Sequence, residues 1–267
     1  LVSASGTGAA VVFTSLVEGT YAVKPTIVVT GTRVPTYIAG AITAGTEGAG
    51  GADTVTTGDG VDFVYGGAGI DTITTGNGND HIIAGSGADV ISAGAGIDLI
   101  EGGAGGDSIS GGAGLDVFQY IAASALTFGG TGDAGTITGY DKISDFSLGT
   151  AAVNSETLDL LNVTDAVKGD GAQDGTDSTL TIGGVAVKGH TVASGAISFD
   201  DADTFATALV IDSEADLAAV MQYLEGTDIG GAGDTVYFTA TIGTANTYVY
   251  QQVGTGVGGN LIELTGV

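Results

Sequence analysis

Aspartate recurs every nine residues through the middle of this chain: Asp53, Asp62, Asp71, Asp80, Asp89, Asp98, Asp107 and Asp116. A carboxylate is a hard oxygen donor, and eight at a fixed period set negative charge in ranks. Two residues before each stands a glycine (Gly51, Gly60, Gly69, Gly78, Gly87, Gly96, Gly105, Gly114). Two residues after each stands an apolar side chain (Val55, Val64, Ile73, Ile82, Ile91, Ile100, Ile109, Phe118). Three copies, at 66–71, 102–107 and 111–116, carry a double glycine at their start. Others relax the first position to Thr or Ala, as in Thr75-Gly76-Asn77-Gly78-Asn79-Asp80, and the first copy opens on Gly48-Ala49. Residues 48–119 are therefore an array of eight nonapeptides.

The letters dictate the elements that position these carboxylates. Six glycine-rich residues accept positive φ and turn tightly. The next three make a short strand whose middle residue points inward. Two nonapeptides close one coil of 18 residues, and stacked coils give two parallel sheets with the Val/Ile row between them as a thin core. Strands of successive coils lie ~4.8 Å apart. Asp53, Asp71, Asp89 and Asp107 thus form one column, and Asp62, Asp80, Asp98 and Asp116 the other. Carboxylates ~5 Å apart repel by about 3 kcal/mol at an effective dielectric of 20, so the coil needs a counter-charge to close. A hard divalent cation between turns supplies it, and the loop carbonyls add the oxygens that Ca²⁺ favours. Those are the carbonyls of Gly67, Gly69, Gly76, Gly78, Gly85, Gly87, Gly94, Gly96, Gly103, Gly105, Gly112 and Gly114. Mg²⁺ wants a tighter octahedron and gives up its waters reluctantly. No His or Cys recurs in the repeat, which excludes zinc and soft metals. Three gaps in each of two columns predict about six calcium ions, with more at the ends.

The nonapeptide G-G-x-G-x-D-x-U-x resembles the repeat-in-toxin (RTX) calcium repeat. The resemblance implies a calcium-filled parallel β-roll in a bacterial protein exported by type I secretion machinery. It continues into Asp141-Lys142-Ile143-Ser144-Asp145-Phe146 and Leu158-Asp159-Leu160, similar to the D-x-I-x-D-F and I-D-L segment that follows such arrays. By that likeness Asp141 and Asp145 join the calcium ligands at the last site; otherwise they are solvated turn carboxylates.

Composition bounds the partners. With 5 Lys and Arg against 31 Asp and Glu, the net charge of −26 excludes nucleic acid and argues against an anionic membrane surface. Bound calcium is the natural remedy for that self-repulsion. There is no cysteine, hence no disulfide framework, and no apolar run long enough for a transmembrane segment. The first residue is Leu, which reads as a fragment or a processed chain.

The chain in order gives an all-β protein, a roll flanked by β-rich segments, with one short helix near 214–225. Residues 1–47 carry strand-like runs broken by Pro25 and Pro35, and form either the end of a preceding β domain or a cap on the first coil. Residues 120–165 form the roll-capping segment, with Gly129-Gly130-Thr131-Gly132-Asp133 a degenerate copy or an ordinary loop. Residues 166–267 form a β-rich C-terminal region. There, Ser213 starts a helix as its N-cap. Leu217, Val220, Met221 and Leu224 make its apolar stripe, read as core packing, and Gly226 ends it. The strands of 234–267 read as hairpins, and the apolar, acid-containing ending resembles the uncleaved export signal of RTX proteins.

Enzyme signatures are missing: no G-x-S-x-G elbow and no H-E-x-x-H occur. His81 falls at an outward position of its repeat, His190 reads as loop, and Asp200, Asp201 and Asp203 read as a solvated acidic loop ahead of a further calcium site. The expectation is a non-enzymatic, calcium-binding structural protein, secreted to the bacterial cell surface and folded by extracellular calcium. Low Lys and Arg, no Cys, and abundant Thr, Ala and Gly resemble RTX-type surface-layer (S-layer) proteins, which self-associate into lattices. The alternative is a calcium-dependent folding and secretion module of an RTX adhesin or secreted hydrolase.

Overall fold

The computed structural model describes residues 27–28, 41–43, 51–121, 126–129, 135–147, 157–160, 166–167, 171–173, 179–201, 208–226, 233–253 and 259–267. The runs Ala10-Val11-Val12-Phe13 and Tyr21-Ala22-Val23 and the stretch Gly130 to Asp133 lie outside them.

The repeat folds as its period dictates. Thr54–Thr56, Thr72–Asn77, Val90–Gly96 and Ser108–Gly114 build one parallel sheet, while Phe63–Ala68, His81–Ser86, Leu99–Ala104 and Val117–Gln119 build the sheet facing it. Register is one coil throughout: Val55 pairs with Ile73, Ile73 with Ile91 and Ile91 with Ile109. Across the roll Val64, Ile82, Ile100 and Phe118 line up in the same way. These two rows are at most 2% exposed and form the core. The strands are longer than the three residues expected. Pairing runs on into the glycine turns (Gly67 with Gly85, Gly76 with Gly94), because glycine pairs there at positive φ.

Both ends of the roll gain strands. Ile27–Val28 pairs in parallel with Val55 and Thr56, and Ala41–Thr43 with Phe63 to Tyr65. After Gln119 the chain leaves the roll and makes the antiparallel pair Thr127–Gly129 and Thr136–Thr138. It returns as Asp141–Ile143 beside Ser108 and Ile109, then as Thr157–Asp159 beside Val117 to Gln119.

Asp141–Ile143 takes a second parallel neighbour, the distant strand Asn260–Thr265, with Asp141 opposite Ile262 and Ile143 opposite Leu264. The hairpin Asp234–Ile242 and Thr244–Gln251 follows, then Ala196–Asp200, Gly189–Ala193 and Gly171–Gln173, so one 13-stranded sheet runs from the roll into the C-terminal region. The hairpin matches expectation; the parallel join does not follow from local sequence. The helix Glu214–Gly226 is the only one among the described residues. Ser213 caps it as foreseen: its Oγ accepts from the Asp216 N–H at 3.1 Å and donates to Asp216 Oδ2 at 2.7 Å. Leu217, Val220, Met221 and Leu224 pack with Phe199, Phe238, Tyr223, Tyr248 and Tyr250 in a second core. His190 corrects the loop reading. It lies on Gly189–Ala193, wholly buried, with Nδ1 3.0 Å from the Tyr223 hydroxyl, because the Tyr223 side chain of the helix reaches down to its ring.

Candidate metal centre

Each repeat aspartate precedes its core residue by two, so strand alternation turns it to the inward side. The side chains of Asp71, Asp80, Asp89, Asp98, Asp107 and Asp116 are buried. Asp53 and Asp62, at the N-terminal end, are half-buried. One oxygen of each of the six buried carboxylates is held by backbone. The N–H of Asp53 donates to Asp71 Oδ1 at 2.7 Å, Asp71 to Asp89 at 2.7 Å and Asp89 to Asp107 at 2.8 Å. Asp62 donates to Asp80, Asp80 to Asp98 and Asp98 to Asp116 at 2.8–2.9 Å. The backbone thus supplies part of the counter-charge that spacing alone assigns to metal.

On five of the repeat aspartates the Oδ2 is not served. Oδ2 of Asp62, Asp89, Asp98, Asp107 and Asp116 is buried without a hydrogen bond. An anionic oxygen left so is costly. Burial pushes the Asp89 and Asp98 carboxyls up to about 6, with the neighbouring carboxylates above and below adding to the rise. Burial likewise raises Asp80, Asp107 and Asp116. Burial thus favours the protonated over the bare carboxylate in these columns.

Glycine shapes the turn around them. Gly78 and Gly96 have φ of 142° and 152°, and a Cβ on either would strike the carbonyl oxygen of Gly60 or Gly78 one coil below. At the second position, a Cβ on Gly76 would come within 2.5 Å of the Gly58 carbonyl oxygen. The glycine carbonyls therefore stack directly beneath the next turn. The relaxed first position has its own logic: Thr57 Oγ1 donates to the Thr75 carbonyl at 3.0 Å, and Thr75 Oγ1 to that of Ala93 at 2.7 Å. Among the described residues no three His, Asp or Glu side chains gather about one point. An ion here would meet one carboxylate per coil with backbone carbonyls making up the shell, a hard-oxygen set that fits calcium.

Asp141 continues the first column: it is fully buried and its Oδ1 accepts the Asp107 N–H at 2.8 Å. Its carboxyl is pushed up to about 8, by burial first and the Asp107 charge second, with the Tyr120 hydroxyl opposing. The signal was in the sequence, since Gly139, Asp141 and Ile143 repeat the glycine–aspartate–apolar spacing. Asp145 lies against the last coil and holds its backbone. Its carboxylate accepts from the N–H of Gly111 at 3.1 Å, the N–H of Gly112 at 2.7 Å and the Ser110 hydroxyl at 2.6 Å. It caps N–H groups that the departing chain no longer serves. His81 lies on the outer wall, its ring 4.7 Å from that of Phe63. Asp200 is buried, Asp201 is exposed and Asp203 lies outside the described residues.

A parallel roll with a column of buried carboxylates along each line of glycine turns defines a calcium-binding solenoid. Residues 47–73, 65–100 and 83–118 match the family described as RTX calcium-binding nonapeptide repeat (4 copies). That match supports an RTX repeat protein and makes this stretch calcium-binding. No curated protein and no solved structure matches the chain. No helix among the described residues is long and apolar enough to cross a membrane.

Proposed function

We propose that this chain is a structural, non-enzymatic protein of the bacterial cell surface, secreted unfolded and folded outside by calcium, where it assembles as part of an S-layer lattice. The observation that carries the reading is the pair of buried carboxylate columns, each with oxygens that the fold leaves without a donor. Where calcium is scarce the columns repel and oppose coil closure. At millimolar calcium, ion binding adds directly to the free energy of folding. Repeat aspartates, with Asp141 at the end of one column, provide the carboxylate ligands, and the stacked glycine carbonyls provide the remaining oxygens. The composition, acidic and rich in Thr, Ala and Gly, supports a surface protein.

The test is circular dichroism with light scattering during a calcium titration from chelator to about 10 mM, the scale of the weakest calcium modules and above, with magnesium as control. The reading expects β signal to rise with calcium and not with magnesium, and ordered sheets to appear by negative-stain microscopy. Calcium-driven folding to a protein that never forms sheets would favour the folding and secretion module of an adhesin or hydrolase. A β signal indifferent to calcium would overturn both.

A further inference from the structure

Of the six asparagines in the sequence, Asn77 alone is followed by glycine. Glycine has no Cβ to shield its nitrogen, so an Asn-Gly pair in a loose chain is open to attack on the side-chain amide by the next backbone nitrogen. The calcium sites use neither the Asn77 amide nor the Gly78 N–H. Asn77 stands exposed between the turn glycines Gly76 and Gly78, and the coils on either side hold both reacting groups. Its Nδ2 donates to Asp59 Oδ1, one coil below, at 2.6 Å. The Gly78 N–H, whose proton must leave for the attack, donates to the Ala95 carbonyl, one coil above, at 2.7 Å. The Asn77 backbone is itself paired with Ala95 in the sheet.

We propose that Asn77 is a deamidation site controlled by coil closure. It converts in the unfolded chain, is held in the closed roll, and once turned into isoaspartate bars the coil from closing. The Gly78 nitrogen attacks Asn77 Cγ. The N–Cγ bond forms, the Cγ–Nδ2 bond breaks, and Nδ2 leaves as ammonia with the Gly78 proton. Water then opens the succinimide ring. Opening at Cγ gives aspartate; opening at the backbone carbonyl gives isoaspartate, whose main chain runs through Cβ and Cγ. The extra backbone carbon falls between two glycines that sit against the coil below, where a Cβ on Gly76 or Gly78 would already strike the carbonyl of Gly58 or Gly60. It also displaces Asp80, just beyond, whose Oδ1 accepts the Asp62 N–H at 2.8 Å in the second column. A closed coil reacts only when it opens, so conversion follows the open population as hydrogen exchange does. That calcium sets this population rests on the proposed function; the protection itself rests on the two hydrogen bonds. A chain left without calcium therefore ages out of its ability to fold.

The experiment ages the full chain at neutral pH in calcium, in chelator and in urea, with circular dichroism reporting folding in each. Cleavage after glutamate releases residues 48–101, and electron-transfer fragmentation separates aspartate from isoaspartate at position 77. The expected result is conversion of Asn77 in urea and in chelator, slowed roughly tenfold or more in calcium. The other five asparagines stay unchanged over the same time, and Asn77→Gln is stable. Returned to calcium, the aged chains that hold asparagine or aspartate fold and the isoaspartate chains do not. Freshly prepared Asn77→Asp, which adds the charge alone, folds with calcium. Equal rates in calcium and in urea overturn the inference, as does an Asn77 that stays intact in all three. Isoaspartate chains that fold with calcium as fresh protein does overturn the bar to closure. A roll that is folded in chelator, with Asn77 protected there as well, keeps the coil's protection and sinks the calcium reading.

Discussion

The roll and the C-terminal region are built from the same sheet by opposite means. In the roll, one apolar residue in nine makes up the core rows, joined by Ala84 and Ala93, and the rest of the interior is carboxylate, the Thr57 and Thr75 hydroxyls and peptide. In the C-terminal region, Phe199, Tyr223, Phe238, Tyr248 and Tyr250 surround a helix, with Phe238 and Tyr248 stacked at 5.5 Å. Large aromatic and aliphatic side chains remove far more apolar surface from water per residue than a single file of valine and isoleucine. The second region therefore stands on its hydrophobic core, while the first, on the proposed function, depends on bound ions.

The largest effect that would break this contrast is metal removal. In chelator, amides of 51–121 should exchange with solvent as an unfolded chain does, while those of 208–226 and 233–253 stay protected, as hydrogen exchange with mass spectrometry will read. Uniform protection would mean the roll needs no ions. Next comes Gly96→Val, which forces a β-branched residue to φ 152° with its Cβ against the Gly78 carbonyl. It should cost more than the ~1–3 kcal/mol of one strained residue and raise the calcium midpoint of folding. Leu217→Ala, in the second core, should cost about 2–5 kcal/mol in urea melts of the C-terminal region, independently of calcium.

Acid sharpens the comparison in one half only. The raised carboxyls of Asp89, Asp98 and Asp141 bind protons more tightly in the folded state than in the unfolded chain. Protonation then stabilises the metal-free roll. That stability is complete below the ordinary carboxylate range near pH 4 and is lost as pH rises through about 6 to about 8. In chelator the β signal should grow from pH 8 to pH 5, calcium affinity should fall over the same window, and Asp98→Asn should imitate both changes. The smallest effect is at the junction. Lys142 reaches Glu263 at 3.0 Å, and Glu263 Oε1 accepts from Asn246 at 2.7 Å. Lys142→Met should cost about 1–3 kcal/mol by leaving a buried carboxylate short of its partner, read as a lowered melting temperature of the calcium-loaded protein.

What was legible in the sequence was what is periodic. The nine-residue spacing of Asp, Gly and Val/Ile specifies coil, register and inward carboxylates without any long-range information. The helix start was legible because Ser213 and Asp216 are local signals. The peptide ladder onto Oδ1 was not, since it depends on the side-chain turn rather than on residue type. The backbone bonds of Asp145 were not legible, because the N–H groups it caps become vacant only when the chain leaves after Gln119. The pairing of Asp141 with Ile262 spans residues that share no motif. His190 was misread because Lys188-Gly189-His190 has loop composition, and the tyrosine that receives it lies far along the chain.

The continuous sheet also sets how the molecule bears a load. Tension along the coil axis passes from strand to strand through the ladder. Inside the roll a rung such as Val90–Gly96 on Ser108–Gly114 pairs six residues. Where Asp141–Ile143 meets Ser108 and Ile109 only two residues pair, aided by the Asp107 N–H on Asp141 and the Ser144 N–H on the Ile109 carbonyl. The next rung, to Ile262, Glu263 and Leu264, pairs three. Tension across the continuous sheet would bear on its short rungs, the two-residue join to Ser108 and Ile109 and the single pairing of Ala196 with Tyr237, before it reached the six-residue rungs of the roll.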